Sequence, residues 1–236
     1  LVYWGKHTYI YKGGIQASVT GDLDGDGRDE FVLGMGRSRS EPKATPSLII
    51  FDSKGATAHS LDMPNHRITD LQMGAEGLYL TILGRDKVAV GGWWTTGGFR
   101  PQSSGTMALA QAPLPKGKTA IGCLYGKEPR SHGGLFIQSA DGTTARLPSL
   151  RGVRTLVTAD VNIDGHLDLI TADGWHYRYG ADAQAQLNLY LGPDFSDHRV
   201  LGEIPENYTI NQISPVQTDG GGPLEILVVG TRDLTL

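Results

Sequence analysis

Short apolar runs, broken by turns rich in glycine and aspartate, recur along the whole chain. "EFVLGM" (30–35) is followed by "SLIIFDS" (47–53) and "ATAHSLDM" (56–63). In the same way "LDLITA" (167–172) is followed by "LNLYLG" (187–192) and "HRVLGEI" (198–204). Between these groups, "RITDLQMGAEGLYLTILG" (67–84) and the segments "KTAIGCLYG" and "GGLFIQS" (within 118–139) alternate apolar with small or polar residues across a glycine-bearing turn. No window of helical length keeps a helical apolar period with caps. The pattern predicts an all-β chain of short antiparallel strands.

The strands belong to a repeat. "VTGDLDGDGRDEFVLG" (19–34) matches "VTADVNIDGHLDLITA" (157–172) position by position, and a weaker copy, "SPVQTDGGGPLEILVVG" (214–230), keeps Asp219, Gly222 and Glu225. Asp22 and Asp160 stand 138 residues apart, which is three times 46, and the chain divides into five units of about 47 residues. Four antiparallel strands per repeat of about 40–50 residues predict propeller blades. The expectation is therefore a single β-propeller domain over residues 1–236, with five four-stranded blades. The last unit supplies only two strands, within 209–217 and 224–230, while "LVYWG" (1–5) and "TYIYKG" (8–13) resemble third and fourth strands of the other units. The N- and C-terminal strands are expected to share one blade, which closes the ring and removes exposed sheet edges.

Composition narrows the functional classes. Glycine is 33 of 236 residues, about twice average usage, and is scattered as many tight turns require. The 21 basic and 25 acidic residues leave a formal charge of −4 without any charged block, so no footprint for nucleic acid is visible. No apolar run is long enough for a helical membrane span. The chain opens on Leu1 rather than Met, which points to a processed precursor or a trimmed chain. The lone Cys123 lies in an apolar run with no base near it in sequence and reads as a buried strand residue.

The repeated loop carries the most specific chemistry. Its pattern, D-x-[DN]-x-D-G-x-x-[DE], brings hard oxygens to one point through alternate positions, uses glycine for a sharp reversal, and closes on an acid. An all-oxygen set with three or four carboxylates favours Ca²⁺ over Mg²⁺ or zinc. The expected ligands are Asp22, Asp24, Asp26 and Glu30 in one loop and Asp160, Asn162, Asp164 and Asp168 in the other, giving two Ca²⁺ sites. An EF-hand would need an acid where this chain has Leu33 or Thr171, and helical flanks that are absent. The third copy has Gln217 and Gly221 at the first and fifth positions, a turn that has lost its metal.

The two strong loops resemble FG-GAP/VCBS-type repeats, the Ca²⁺-bearing blades of integrin alpha subunits and of many secreted microbial proteins. The resemblance covers the two motif units well, the last in part, and the middle ones only by spacing. It implies a β-propeller with Ca²⁺ between the first two strands of a blade. It further implies an extracytoplasmic setting, secreted, periplasmic or at the cell surface, and a role in binding or adhesion. It carries over no ligand and no catalytic residue, because the fold hosts binding modules and enzymes alike.

Catalysis has no signature here. Seven histidines are dispersed without zinc-type spacing, and there is no nucleophile elbow or phosphate-cradling loop. Glu76 and Asp141 fall at predicted turns. A binding role for glycan or protein is expected, and a polysaccharide hydrolase or lyase on a propeller scaffold is the alternative. Two long connections supply candidate ligand contacts: Trp175, Tyr177 and Arg178 in "GWHYRYG" (174–180), and Arg37 and Arg39 in "RSRSEPKATP" (37–46). Trp93 and Trp94 are expected to pack between blades. "NYT" at 207–209 is a glycosylation sequon that matters only in a eukaryotic secretory host.

Overall fold

A computed structural model describes residues 2–4, 7–9, 14–35, 48–61, 63, 66–74, 76–95, 98–106, 108–125, 132–149, 152–173, 185–204, 208–217 and 223–232. These form strands almost exclusively, in four four-stranded and two two-stranded antiparallel sheets, with one 3-10 turn at Pro115–Gly117. The chain divides into two compact units, Leu1–Ser104 and Gly105–Leu236.

The first unit opens with a ribbon of β1 (Val2–Trp4) and β2 (His7–Tyr9). A first four-stranded sheet follows, β3 (Ile15–Gly21), β4 (Glu30–Met35), β5 (Leu48–Phe51) and β6 (Thr57–Leu61). The second comprises β7 (Arg67–Gly74), β8 (Gly77–Leu83), β9 (Val88–Thr95) and β10 (Gly98–Thr106), the last crossing the boundary between units. In the second unit the third sheet is β11 (Ala108–Leu114), β12 (Lys118–Tyr125), β13 (His132–Gln138) and β14 (Thr144–Leu147). The fourth is β15 (Val153–Ala159), β16 (Asp168–Asp173), β17 (Ala185–Leu191) and β18 (Asp197–Ile204). A fifth, two-stranded sheet pairs β19 (Tyr208–Val216) with β20 (Glu225–Arg232). Each four-stranded sheet is a meander in which consecutive strands are neighbours, the construction of a propeller-like blade.

Burial grades across each sheet. β4 and β16 are almost wholly buried, whereas the outer strands β6 and β14 are mostly exposed. Second strands covered on both faces read as continuous apolar runs, and half-exposed outer strands read as alternating or polar. The cores lie between sheets. Val32, Leu48 and Ile50 of the first sheet pack with Ile68, Leu71, Leu78, Leu80 and Ile82 of the second. In the other unit, Ala110, Ala120 and Leu135 pack with Val153, Leu156, Leu169 and Tyr190, while Ile170, Ala172 and Leu189 pack with Ile210 and Ile213.

One device repeats five times. The first strand of each four-stranded sheet and of the β19–β20 pair carries a bulge at the same register: between Ile15 and Ala17, Ile68 and Asp70, Ala108 and Ala110, Val153 and Thr155, and Ile210 and Gln212. At three of them, Ile68, Val153 and Ile210, the residue before the bulge is also the knob that seats one sheet on its neighbour. A Cβ at Gly34 would stand 2.6 Å from Cγ2 of Ile68, and one at Gly122 would stand 2.7 Å from Cγ1 of Val153. Glycine at these two places is required by close approach, not by backbone angle. Ala172 takes the corresponding place against Ile210.

The tryptophans divide between two faces of β9. Trp94 packs against the core between the first and second sheets, as expected. Trp93 lies edge-on to Tyr79 with ring centroids 5.1 Å apart, and its Nε1 donates to Gln102 Oε1 at 2.8 Å. Cys123 is buried in β12, and burial pushes its thiol up to about 12.

Candidate metal centre

The two strong loops join first to second strands in the first and fourth sheets. In each, eight residues separate the last residue of the first strand from the acid that opens the second: Gly21 pairs with Glu30, and Ala159 with Asp168. Both loops are fastened by an apolar residue at their second position. Leu23 packs on the core between the first and second sheets, and Val161 on the core between the fourth and fifth. The backbone N–H of each fastener donates to the closing acid, Leu23 to Glu30 Oε2 at 2.8 Å and Val161 to Asp168 Oδ2 at 3.0 Å. The acid is thereby turned inward, under the loop.

The carboxylate at the first position organises the reversal. Asp22 accepts N–H groups of Gly25 and Asp26 on Oδ1, at 2.7 and 3.1 Å, and of Gly27 on Oδ2 at 2.9 Å. Asp160 accepts from Asp164 at 3.0 Å and from Gly165 at 2.8 Å. The third position then caps the fifth, with Asp24 accepting from Asp26 at 3.1 Å and Asn162 from Asp164 at 3.2 Å. The fifth caps the seventh, with Asp26 accepting from Arg28 at 2.9 Å and Asp164 from His166 at 2.8 Å. Gly27 and Gly165 take left-handed φ of 81° and 86°, and the fourth position is left-handed too, 80° at Gly25 and 61° at Ile163.

The loops differ in what they bring together. One oxygen each of Asp22, Asp24 and Glu30 lie within 4.8 Å of one another. Among the described residues this is the one such group of three acids, histidines or cysteines, and Asp26 stands outside it. Glu30 is only 5% exposed, while Asp22 and Asp24 are open to solvent. Three carboxylates this close repel one another, and a divalent cation offsets that repulsion. An oxygen-only set suits Ca²⁺, so the residues fit the cofactor expected from sequence.

In the second loop Asn162 replaces one carboxylate, and its Nδ2 donates to Asp164 Oδ2 at 2.8 Å. That bond first, then the His166 N–H and the His166 charge, hold the Asp164 carboxyl below the usual range. Asp168 is wholly buried and accepts a second backbone N–H on Oδ1, from Gly192 at 2.9 Å.

The third copy keeps the spacing. Val216 pairs with Glu225 across eight residues, but Gln217 and Glu225 are exposed. Leu224 N–H donates to Val161 O at 3.2 Å, so its end leans on the neighbouring loop of the fourth sheet. Asp219, Gly221 and Gly222 lie outside the described residues. So do Arg37, Arg39, Trp175, Tyr177 and Arg178, whose connections leave the described chain at Met35 and Asp173.

Other acids serve turns. Glu76 forms an exposed ion pair with Arg100. Asp52, Asp141 and Asp194 cap N–H groups two residues on, at Lys54, Thr143 and Ser196. Bonds from Thr143 and from Ser196 hold Asp141 and Asp194 below the ordinary carboxylate range.

Two features escape a reading by motif. The apolar second position, Leu23 or Val161, is visible in both copies and could have been named as the fastener. The chain Asp173–Asn188–His198 had no signal. Asn188 Nδ2 donates to buried Asp173, and His198 Nε2 meets Asn188 Oδ1 at 2.9 Å while its ring stacks on Tyr190 at 4.5 Å. The Tyr190 hydroxyl donates to the Pro148 carbonyl. Burial, then the charge of Asp173, push that hydroxyl's pKa up.

No known family model matches the chain, and no curated protein is similar to it. Among solved structures, Sqt1 of Saccharomyces cerevisiae is similar at 13% identity and a TM-score of 0.40, covering 79% of this chain and 46% of that one. The chain spans less than half the length of that protein.

Proposed function

We propose that the chain is a Ca²⁺-stabilised five-bladed β-propeller of the FG-GAP/VCBS type, a single domain acting outside the cytoplasm as a binding or adhesion module for glycan or protein. The observation that carries this reading is the hydrogen-bond skeleton common to the two loops, with the carboxylates of Asp22, Asp24 and Glu30 converging in the first. Asp22, Asp24, Asp26 and Glu30 would hold one Ca²⁺, and Asp160, Asn162, Asp164 and Asp168 the other. When bound, the ion supplies positive charge that pins a tight turn; it has no part in a reaction. The residues themselves fix the loop, through Leu23 and Val161 below and the backbone caps above.

In this reading β1 and β2 complete the blade begun by β19 and β20. Supporting it, β20 exposes Leu227 (53%), Val228 (36%) and Val229 (47%), whereas the equivalent β4 and β16 are buried. Among the described residues, the fifth sheet has two strands fewer than the four-stranded sheets. Ligand contacts are assigned to Trp175, Tyr177 and Arg178, with Arg37 and Arg39, on connections between second and third strands, where loops on a rigid scaffold concentrate recognition.

Two measurements test the reading. Adding excess chelator should lower the melting temperature, since a ligand held only by the folded state stabilises by about 2.7 kcal/mol at a hundred times its Kd. An unchanged melting curve, with no metal found beforehand, sinks the Ca²⁺ assignment. Screening against glycan panels, scored for binding and for new reducing or unsaturated ends, separates a binding module from a polysaccharide hydrolase or lyase. Trp175→Ala should then weaken a bound ligand by roughly 1–3 kcal/mol without changing Ca²⁺-dependent stability.

A further inference from the structure

We infer that Arg67, Arg85 and Lys87 form an anion-reading cluster for a glycan bearing sulfate or uronate groups, at the end of the first unit opposite the loop 22–29. The inference rests on the binding-module reading and names its ligand class. Two close approaches fix which ends lie together. A Cβ at Gly34, the partner of Ala17, would stand 2.6 Å from Cγ2 of Ile68, and one at Gly21 would stand 2.7 Å from Cε of Met73. β3 and β7 therefore run the same way, start beside start. Arg67 opens β7 and pairs with Leu83, the last residue of β8, and the turn that follows holds Arg85 and Lys87. All three cations stand where β4 finishes; the loop 22–29 is at the other end.

Charge is divided between these ends. The loop 22–29 carries Asp22, Asp24, Asp26 and Asp29 against Arg28, the turn between β7 and β8 adds Glu76, and Arg100 is neutralised by Glu76 in an ion pair. At the opposite end Arg67, Arg85 and Lys87 are exposed, and among the described residues no ion pair or side-chain hydrogen bond engages them. The acid of their turn faces back, with Asp86 Oδ1 accepting the Val88 N–H at 3.0 Å. Three cations gathered in this way repel one another, and a bound anion offsets the repulsion. The turn is also fixed in shape. Gly84 N–H donates to Val88 O at 2.9 Å and Lys87 N–H to Gly84 O at 3.2 Å, while Lys87 holds a left-handed φ of 66°. Glycine would take that place without strain, so what lysine adds is its charge, and such backbone outliers gather at ligand clamps. A guanidinium fork meets a sulfate or a carboxylate through two parallel N–H groups, and an ammonium adds three rotatable donors. Neighbours around a hairpin end stand roughly 5–8 Å apart, so the cluster suits anionic groups spaced along one short chain, as on consecutive sugars. A nucleic acid needs a longer basic track than three cations on a chain of net charge −4 provide.

Calorimetry on the full chain with Ca²⁺ would use sulfated galactose oligosaccharides, galacturonate oligosaccharides, neutral galactose oligomers and a short single-stranded DNA. We expect an acidic oligosaccharide to bind, more weakly as salt rises, and the one that binds assigns the anionic group as sulfate or carboxylate. Replacing the cluster, by Arg67→Gln with Arg85→Gln and Lys87→Gly, should cut that affinity at least about tenfold, the size of a lost charged hydrogen bond. The melting temperature should not fall, since all three side chains are exposed and glycine relieves the turn. Lys54→Gln, an exposed change in the turn after β5 at the other end, should leave binding unchanged. Acidic-glycan binding that survives the triple variant, or that falls equally with Lys54→Gln, would overturn the cluster, and DNA bound as tightly would overturn the glycan assignment. Neutral oligomers bound while acidic ones are ignored would remove the cluster and leave the binding reading standing. Binding of no glycan at all would remove the inference together with its glycan premise.

Discussion

The fourth and fifth sheets begin alike and end differently. Both first strands carry the bulge, both are followed by eight residues, and in both the last residue of the first strand pairs with an acid. Yet Asp168 is wholly buried and Glu225 is exposed. The cause is the third strand. β17 flanks β16, and the turn that follows sends the Gly192 N–H to Asp168; β20 has no such neighbour among the described residues. An acid at the closing position is buried only where another strand folds over it, so counting carboxylates in a motif is not enough.

The strongest way to break the comparison is to remove what would complete the fifth sheet. If β1 and β2 supply its outer strands, deleting residues 1–13 leaves Leu227, Val228 and Val229 permanently open on a sheet edge, and the product should aggregate or fail to fold. Light scattering and size-exclusion chromatography read the outcome. A soluble monomer with an unchanged melting temperature would show that the fifth sheet does not need them.

Next in size is the contrast between the two acids. Asp168→Ala strands two partly buried backbone N–H groups, of Val161 and Gly192. Partial burial puts each donor toward the low end of about 1–3 kcal/mol, so we expect roughly 2–3 kcal/mol of destabilisation, measured by urea unfolding in chelator so that metal does not contribute. Exposed Glu225→Ala should stay within about 0.5 kcal/mol. Equal effects would mean that the third strand does not set the role of the acid.

How much of this was legible in the sequence follows from the same contrast. The two loops were plain because one residue type is required at each of several fixed positions, and the fold keeps every one of those spacings. The hairpins β7–β8 and β12–β13 were legible too, since alternation survives across their turns. Residues 88–114 were not read as strands. "VAVGGWWTTGGFRPQSSG" mixes glycine, proline and tryptophan without a period, because these strands are covered unevenly and Gly92 must accept the backbone of Arg100 and Pro101 close by. The bulge left no mark either, for the residue before it is Ile15, Ile68, Ala108, Val153 or Ile210, apolar like much of the chain. Asp173, Asn188 and His198 are far apart in sequence and meet only through strand register.

A smaller effect distinguishes the two loops. Asp24→Asn gives the first loop the second loop's residue at the third position. In chelator the variant should be slightly more stable, since one of three carboxylates within 4.8 Å loses its charge. In Ca²⁺ it should be less stable, because a charged ligand has gone. Each shift should be on the order of 0.5–1 kcal/mol, as for a partly solvated charge interaction. Shifts of the same sign in both conditions would indicate that Asp24 acts only as a turn cap.

The smallest effect concerns the fourth loop position, where two residues hold one backbone conformation at unequal cost. Gly25 takes φ of 80° without strain, but Ile163 takes 61° with a branched Cβ, and its side chain is 57% exposed. A left-handed β-branched residue costs about 1–2 kcal/mol, and little burial offsets it here. Ile163→Gly should therefore stabilise the chain, though by less than the strain released, because glycine restores about 0.5–1 kcal/mol of backbone entropy to the unfolded state. Gly25→Ile has no compensation and should destabilise by about 1 kcal/mol or more. A Cβ at Gly25 meets nothing within 4 Å, so crowding cannot account for the loss. Paired melting curves in Ca²⁺ read both changes. If Ile163→Gly lowers the melting temperature, the isoleucine is held in place by something worth more than its strain, and the two loops are not equivalent scaffolds.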